Sequence, residues 1–422
     1  MITQEENELL TRVGPGTPAG TLLRRYWQPV ALAQELPDGG APLPVRSLGE
    51  DLVLFREDQG RIGLLGLHCS HRGADLSYGR LEDGGLRCIY HGWLYDIHGR
   101  CLDQPGEPAG GEHRDQIRHP AYPCQERGGV IFAYLGPGEP PLLPNYEFLN
   151  VPPAQRFVSK YFQDCNYLQG NEGNLDPTHN NLLHYPNPNL AHTGKKELTT
   201  FRGGRGAAPG MQTLDAEVVD FGVRLCDTTR MEEGRKNLRI YHFVMPNFTM
   251  FPGPLQGKGG YSINWHVPID DTHHWKYTFV FDRGKPLDVE MAQERLGVGI
   301  TPDYHLLQNR SNRYMQDREI MKTQSFSGIE GFAAQDTFAI EGEGVIQDRT
   351  HEHLASSDRI IVAMRKVLSK AIQDVQQGID PPNVVRRPEQ NRYPHLFVYV
   401  GVVPEATDWR EFCKQLEAEA RA

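Results

Sequence analysis

The chain has 422 residues, of which 23% are charged and 38% are hydrophobic, as is typical of a folded globular protein and not of a disordered one. Its formal net charge of −10 argues against nucleic-acid binding, because that function normally needs a basic surface. No apolar run reaches the roughly 18–20 residues that span a bilayer, and the N-terminus has no apolar signal segment. We therefore expect a cytoplasmic protein with no membrane association.

Short apolar runs separated by glycine and proline fill the first third of the chain. Examples are PVRSLGEDLVLFRE at 44–57, GRIGLLGLHCS at 60–70 and GGVIFAYLGP at 128–137. Such runs predict short strands joined by tight turns. Because GPGEPP at 136–141 interrupts regular structure, we predict an all-β domain over residues 1–145, with an N-terminal helical segment, and a second domain over residues 146–422.

The second part of the chain has a different pattern. Apolar and polar residues alternate in NLRIYHFVMPNFTMF at 237–251 and in HHWKYTFVFDR at 273–283, which predicts strands of an antiparallel sheet. Residues 356–377 have a Ser/Asp start, apolar positions with a period of 3.6 and a glycine after their end, which predicts a helix. A short, charged helix is expected at 405–422. The fold class is therefore predicted to be α+β.

Seven cysteines, an odd number and widely scattered, indicate free thiols in a reducing compartment and not a disulfide framework. Two of them belong to a Cys-x-His pair, Cys69 and His71, and a Cys-x-x-His pair, Cys88 and His91. Zinc sites usually pair cysteine with cysteine and histidine with histidine. One thiolate and one imidazole from each loop instead suit a [2Fe–2S] cluster, in which two thiolates hold one iron and two imidazoles the other. A zinc site and four unrelated side chains stay as the alternatives, and His98 is expected at the surface.

A second polar motif lies at residues 171–185, NEGNLDPTHNNLLHY. In a helix Asp176 and His179 would share one face, whereas His184 would be rotated by about 140° from His179. The two histidines can share a metal only if the helix unwinds, which Pro177 favours. Two imidazoles and one carboxylate form the facial triad of non-heme iron oxygenases. A polar helix surface is the alternative.

The first motif, with its flanking HRG at 71–73 and YHGW at 90–93, resembles the Rieske iron–sulfur motif, although Ser70 and Ile89 stand where many members have proline. Together the two motifs resemble the catalytic subunit of Rieske non-heme iron aromatic oxygenases, over nearly the whole chain. This resemblance implies an all-β Rieske domain followed by a helix-grip-like catalytic domain with a C-terminal helical extension.

The resemblance also implies a set of site residues. The cluster ligands would be Cys69, His71, Cys88 and His91. His179 and His184 would bind a mononuclear Fe(II), while Asp176 would accept a hydrogen bond from His179 and bridge to His91 of a Rieske cluster. The remaining iron ligand would be a carboxylate from the segment that holds Glu330, Asp336, Glu341 and Asp348. Asp336 is preferred because the segment resembles the phthalate dioxygenase branch, in which the carboxylate of a Gln-Asp pair binds iron. His351 and His353 are expected to be structural or at the surface.

The implied activity is the use of O2 to hydroxylate an aromatic substrate once or twice or to remove an O-methyl group from it. An aromatic carboxylate is the preferred substrate, and Arg202, Arg205 and Arg239 are candidates for binding its anionic group. The chain lacks a nucleotide-binding motif, so electrons would come from a separate flavin and iron–sulfur reductase that uses NADH or NADPH. A homotrimer, or stacked trimers, would be the assembly. A Rieske electron-transfer protein and a zinc-stapled binding protein are the alternative functions.

Overall fold

The computed structural model describes residues 1–108, 111, 114–181, 183–184, 212–252, 259–290, 292 and 299–421. In these residues it confirms the predicted α+β class: small antiparallel sheets come first, and a large antiparallel sheet with helices follows. The described helices are α1 Gln4–Thr11, α2 Pro18–Leu23, α3 Glu147–Asn150, α4 Tyr167–Leu175, α5 Arg318–Thr323, α6 Phe332–Gly342, α7 Arg359–Gln376 and α8 Trp409–Arg421. Over these ranges, no helix combines the length and the apolar character that crossing a bilayer requires.

Three small antiparallel sheets form the first part of the described chain. Their strand orders are β1-β11-β10, β2-β3-β4-β9 and β5-β6-β7-β8. The strands are β1 Trp27–Leu32, β2 Leu43–Ser47, β3 Glu50–Arg56, β4 Ile62–Gly66, β5 Arg80–Glu82, β6 Gly85–Arg87, β7 Leu94–Tyr95, β8 Cys101–Asp103, β9 Ala121–Tyr122, β10 Cys124–Arg127 and β11 Val130–Tyr134. The three runs that predicted strands at 44–57, 60–70 and 128–137 therefore contain strands, and a hairpin between β2 and β3 accounts for the first of them.

One antiparallel sheet of eight described strands forms most of the second part. Its order is β12-β18-β17-β16-β15-β14-β13, and the last strand, β19, also pairs with β15. The strands are β12 Arg156–Gln163, β13 Gln212–Val219, β14 Gly222–Arg230, β15 Arg235–Val244, β16 Phe248–Phe251, β17 Ser262–Pro268, β18 His274–Phe281 and β19 Tyr399–Pro404. The alternating runs at 237–251 and 273–283 thus form β15, β16 and β18, as the sequence predicts.

Helix α7 shows how the two parts are joined. Its apolar face, which includes Ile360, Met364, Leu368 and Ile372, is buried in the same hydrophobic core as residues of α1 and α2. The helix lies against β13 and β14 on one side and against α2 on another. Gly378, with φ of +78°, ends it as expected. The N-terminal helices are therefore packed on the second part of the chain.

Helix α4 lies across β16, β17 and β18 and places the second polar motif. The Asn166 side chain accepts a hydrogen bond from the Leu168 N–H and so caps the start of the helix. Gly170 faces the sheet so closely that an added Cβ would lie 2.2 Å from Nδ1 of His266. This close approach fixes where the end of the helix, and the residues that follow it, lie over the sheet.

Candidate active site with two metal centres

The two Cys/His loops fold as a matching pair of turns. Cys69 follows β4 and Cys88 follows β6, and their backbone carbonyls accept hydrogen bonds from the N–H groups of Gly73 and Gly92, at 2.8 and 3.0 Å. The two glycines have φ of +73° and +74°. Other residues adopt this conformation only at an energetic cost. The glycine in each motif therefore allows the turn that carries one thiol and one imidazole.

The structure brings these four side chains together. Cys69 and Cys88 are each 3% exposed, and the ring centroids of His71 and His91 lie 4.5 Å apart. The ring of His71 stacks on Trp93, with centroids 4.6 Å apart. In the described residues, Nδ1 of His71 is buried and has no hydrogen-bond partner. Two buried thiols, two adjacent imidazoles and an unsatisfied ring nitrogen are the features expected of a metal-binding pocket.

The second motif begins where α4 ends. Asp176 has an extended backbone, and the chain continues through a short 3₁₀ turn at His179–Asn181, so the predicted unwinding of the helix is confirmed. The Asp176 carboxylate accepts hydrogen bonds from the N–H groups of Thr178, at 2.7 Å, and His179, at 3.2 Å. Nδ1 of His179 lies 3.6 Å from Oδ2 of Asp176, which is longer than a hydrogen bond. Asp176 thus shapes the turn through backbone contacts.

His179, His184 and Asp336 converge on one point. Oδ1 of Asp336 lies 3.5 Å from Nε2 of His179 and 3.0 Å from Nε2 of His184. One ligand atom from each of the three residues lies within 4.8 Å of the others. Within the described part of the chain, the buried Nε2 of His184 makes no hydrogen bond of normal geometry. Two imidazoles and one carboxylate with their donor atoms facing a common space fit a divalent metal.

The charge on Asp336 is stabilised before any metal binds. Burial raises the pKa of this carboxyl group, but His184, Lys276 and His179 outweigh burial and lower the pKa to about 2. Lys276 comes from β18 and is 5% exposed, and its Nζ lies 4.0 Å from Oδ2 of Asp336. One carboxylate oxygen therefore faces the two imidazoles while the other faces a buried ammonium group.

The other three carboxylates of this segment lie outside the group formed by His179 and His184. Glu330 is exposed. Glu341 is buried and accepts hydrogen bonds from the Tyr314 hydroxyl and the Asp164 N–H, whereas the exposed Asp348 accepts them from Thr350. Of the four candidate carboxylates, Asp336 alone lies with His179 and His184 in the metal-binding group of the described residues.

A pocket opens beside this group and is lined by Asp176, His179 and Asp336. The rest of its lining combines aromatic and polar side chains, which include Arg239, Tyr241, Phe251, Asn264 and Phe332. A mixed lining of this kind suits a ligand with an aromatic body and a polar group.

Arg239 and Tyr241 are two residues apart on β15 and so point to the same side of the sheet. Nη1 of Arg239 lies 3.6 Å from Oδ2 of the buried Asp227. Burial raises the pKa of Asp227, and Arg239 only partly offsets this rise. The Tyr241 hydroxyl is buried and, within the described residues, has no hydrogen-bond partner. A cation and an unsatisfied hydroxyl group therefore face the same pocket.

Comparisons with known proteins agree with this architecture. Residues 26–123 match the Rieske [2Fe-2S] domain, and residues 133–422 match the family described as LigXa C-terminal domain like. The oxygenase subunit of phthalate 4,5-dioxygenase from Pseudomonas putida is 34% identical, over 98% of this chain and 95% of its own length. The chain belongs to the Rieske oxygenase family.

Two further proteins are similar to this chain, one in sequence and one in fold. The oxygenase subunit of 5,5'-dehydrodivanillate O-demethylase from Sphingobium sp. is 34% identical to this oxygenase, over 93% of this chain and 85% of its own length. The crystal structure of dicamba monooxygenase bound to dicamba superposes with a TM-score of 0.60 at 18% identity, over 85% of this chain and 99% of that one. The second likeness shows the fold alone.

Membership confirms that the protein is an oxidoreductase that uses O2 and carries a Rieske [2Fe–2S] cluster and a mononuclear non-heme iron. Oxygenase subunits of this family take electrons from partner reductases or ferredoxins. The donor sets fit both groups: two buried thiols with two imidazoles for the cluster, and two imidazoles with one ionised carboxylate for the iron.

Several site residues could not be identified from the sequence. Lys276 lies in the alternating run HHWKYTFVFDR. Its neighbours at i−2 and i+2, His274 and Thr278, are also polar, which indicates a polar face of the strand. Tyr241 lies two residues after Arg239, which gives a similar sign. Of the arginine candidates, Arg239 lines the pocket, whereas Arg202 and Arg205 lie outside the described residues.

Three histidines were expected to stay outside the two centres. His98, His351 and His353 are all exposed, as predicted. Nδ1 of His351 donates a hydrogen bond of 2.8 Å to the Asp348 carboxylate, and the residue is part of a surface turn.

Proposed function

We propose that this Rieske oxygenase hydroxylates or O-demethylates an aromatic carboxylate with electrons from a flavin and iron–sulfur reductase. The observation that carries the proposal is the convergence of His179, His184 and Asp336 beside a pocket that also contains Arg239. The relative named for phthalate supports an anionic aromatic substrate, and the relative named for O-demethylation supports the second reaction.

The cluster would be held by Cys69 and Cys88 on one iron and by His71 and His91 on the other. Burial raises the pKa of the Cys69 thiol in the metal-free chain, so metal binding has to displace its proton. The stacking of His71 on Trp93 restricts the plane of the imidazole, and its buried Nδ1, which has no partner in the described residues, would be available to bind the iron. His91 is partly exposed, and the electron would leave the cluster through this residue.

The mononuclear iron would be held by His179, His184 and Asp336, and when bound it supplies the site at which O2 is reduced. The residues of the chain contribute position and charge. The turn at Asp176 sets the direction of His179, and the ionised Asp336 offers one oxygen to the metal position while Lys276 faces the other. Phe251 and Phe332 give the pocket an apolar wall that favours an aromatic ring and limits water.

Arg239 would bind the carboxylate of the substrate. A guanidinium group has five N–H donors in a planar fork, so it can contact Asp227 and a substrate carboxylate together. Tyr241 would donate its hydroxyl hydrogen to the same anionic group or to a ring substituent. The carboxylate would thereby be held at the sheet side of the pocket, and the ring would extend towards the metal position.

We further propose that Asp176 links the iron of one subunit to His91 of a neighbour in a homotrimer, alone or stacked on a second trimer. The Asp176 side chain is 30% exposed although it lies beside His179, so it is accessible to a neighbouring chain. The division into domains at residue 145 and the cytoplasmic location also stay predictions from the sequence.

The test is O2 consumption with product identification, using the purified protein and a surrogate reductase. Matched pairs of aromatic acids and their methyl esters separate an anionic substrate from a neutral one. We expect about three irons per chain, cluster absorption bands, and oxygenated or demethylated products from acids but not from esters. Arg239→Gln should raise KM about 10–100-fold through the loss of a charge-assisted hydrogen bond. Arg235→Gln, at an exposed position of the same strand, is the control and should leave KM unchanged.

Other outcomes would reject the proposal. Two irons per chain and no O2 consumption would indicate an electron carrier, and zinc without visible absorption would indicate a stapled binding protein. Equal turnover of acids and esters would reject the role of Arg239.

A further inference from the structure

Gln335 lies directly behind His184, on the side opposite to the metal position. Its Oε1 is 2.7 Å from Nδ1 of His184, whereas Nε2 of the same imidazole is 3.0 Å from Oδ1 of Asp336. The two ring nitrogens therefore have separate partners, one in the protein and one at the candidate iron site.

The orientation of the Gln335 amide follows from its other contacts. Its Nε2 lies 2.7 Å from the backbone carbonyl oxygen of Ile329 and 3.0 Å from Oγ of Ser327. A backbone carbonyl can only accept a hydrogen bond, so the amide end that faces Ile329 has to be the NH2 group. The end that faces His184 is consequently the oxygen, which can only accept.

An accepting oxygen at Nδ1 determines the tautomer of the imidazole. His184 therefore has to carry a hydrogen on Nδ1, so in the neutral imidazole the lone pair is on Nε2, the nitrogen that faces the metal position. The Phe332 ring stacks on His184, with centroids 3.8 Å apart and planes at 17°, and so restricts rotation of the imidazole. Phe332, Gln335 and Asp336 all belong to α6, so one helix fixes both the histidine and the carboxylate.

We propose that Gln335 is a positioning residue for the mononuclear iron, which sets the tautomer and ring direction of His184. The proposal rests on the proposed role of His184 as an iron ligand. Removing an outer partner of a metal-binding histidine typically weakens metal affinity about 10–100-fold. A glutamine that served only to join α6 to the Ile329 segment would leave metal affinity unchanged or lower it equally in any variant that lacks the NH2 group.

Two substitutions separate these roles, because each removes a different part of the side chain. Gln335→Leu removes the acceptor for His184 and the donor to Ile329, whereas Gln335→Glu keeps the acceptor and removes the donor. The mononuclear iron is removed from the holoprotein with a chelator, and the dissociation constant for added Fe(II) is measured by chelator competition. The visible absorption of the retained cluster reports that each variant is folded.

We expect Gln335→Leu to weaken Fe(II) binding about 10–100-fold and Gln335→Glu to retain it within about threefold. Gln28→Leu is the matched control. Gln28 is fully buried, donates to the Leu23 carbonyl oxygen and accepts from Asn247, but belongs to β1, so its loss should leave Fe(II) affinity unchanged. Co(II) added to the same proteins should show altered visible bands in Gln335→Leu alone.

Unchanged Fe(II) affinity in Gln335→Leu, or an equal loss in the Leu and Glu variants, would overturn the positioning role. His184→Ala keeps this result distinct from a failure of the proposed function. If wild-type protein binds Fe(II) and His184→Ala does not, the iron site stands and only the role of Gln335 is under test. If both bind Fe(II) equally, the proposed iron site itself is wrong.

Discussion

Tyr95 is a buried residue in contact with a candidate cluster ligand. Its hydroxyl oxygen lies 3.2 Å from Sγ of Cys69, and the side chain is fully buried. A thiolate bound to iron can only accept, so in the holoprotein the hydroxyl would donate to the sulfur. Because the sulfur becomes more negative when the cluster is reduced, this hydrogen bond stabilises the reduced state more than the oxidised one.

Tyr95→Phe should therefore lower the reduction potential of the cluster. A difference of about 1 kcal/mol in hydrogen-bond strength between the two redox states corresponds to about 40 mV for a one-electron couple. The measurement is a mediated redox titration in which visible circular dichroism monitors the reduction of the cluster. Tyr78→Phe is the control, since Tyr78 is 72% exposed, and equal potentials in Tyr95→Phe and wild type would contradict the prediction.

At this residue scale, the sequence predicts best those site residues that are close together in the chain. Cys69, His71, Cys88 and His91 lie in two short turns, so their spacing alone carries the information. Lys276 could not be predicted, because it reaches Asp336 only through the pairing of β18 with its neighbours and the packing of α6. In the sequence alone, Lys276 is indistinguishable from an ordinary lysine in a strand.

At the scale of elements, the position of helix α4 over the sheet depends on a close contact at one glycine. A Cβ at Gly170 would lie 2.2 Å from Nδ1 of His266 and 2.7 Å from Nε2 of His274. These two imidazoles contact each other at 2.9 Å, and burial lowers the pKa of both, that of His274 to about 3. Both are therefore neutral, and their mutual hydrogen bond keeps them under the helix.

Gly170→Ala should destabilise the protein by about 1–3 kcal/mol, because the methyl group forces α4 away from the sheet. The same displacement moves the turn that holds His179, so Fe(II) content should fall as well. Urea unfolding followed by tryptophan fluorescence measures the first effect and metal analysis the second.

The control for this substitution is Gly342→Ala. Gly342 is the last residue of α6, and no atom of the described residues lies within 4 Å of an added Cβ, so the change should stabilise the protein by about 0.4–1 kcal/mol. Similar losses in the two variants would show that the contact with His266 is unimportant.

Most of the elements could be predicted, because their hydrophobic patterns are strong. The helix expected at 356–377 is α7 at Arg359–Gln376, preceded by a 3₁₀ turn, and the helix expected at 405–422 is α8 at Trp409–Arg421. What the pattern could not predict is the packing of α1 and α2 on α7. That contact joins residues from opposite ends of the chain, and no local periodicity reports it.

At the scale of the whole molecule, the proposed electron transfer between subunits can be tested at Asp176. Asp176 contacts the chain through the N–H groups of Thr178 and His179, and its carboxylate remains partly exposed beside the iron site. Asp176→Asn keeps the shape of the side chain but removes its negative charge. Both metals should stay bound, since neither is held by Asp176.

The expected result is a loss of about 10–100-fold in the rate at which O2 reoxidises a pre-reduced cluster when substrate is present. Stopped-flow absorption of the cluster measures this rate in a single turnover. Asp348→Asn is the matched control, because Asp348 is an exposed carboxylate of the same catalytic part and lies outside the group of His179, His184 and Asp336. Near-normal reoxidation in Asp176→Asn would reject the link between subunits.

The separation of the iron-binding residues along the chain has a consequence for biosynthesis. The cluster motifs lie within one short segment near the N-terminus, whereas His184 and its partner on α6, Gln335, are 151 residues apart. A ribosome would therefore release the complete cluster site long before it released α6. We infer an order of maturation in which the cluster can be inserted co-translationally, while iron has to wait until α6 has been synthesised.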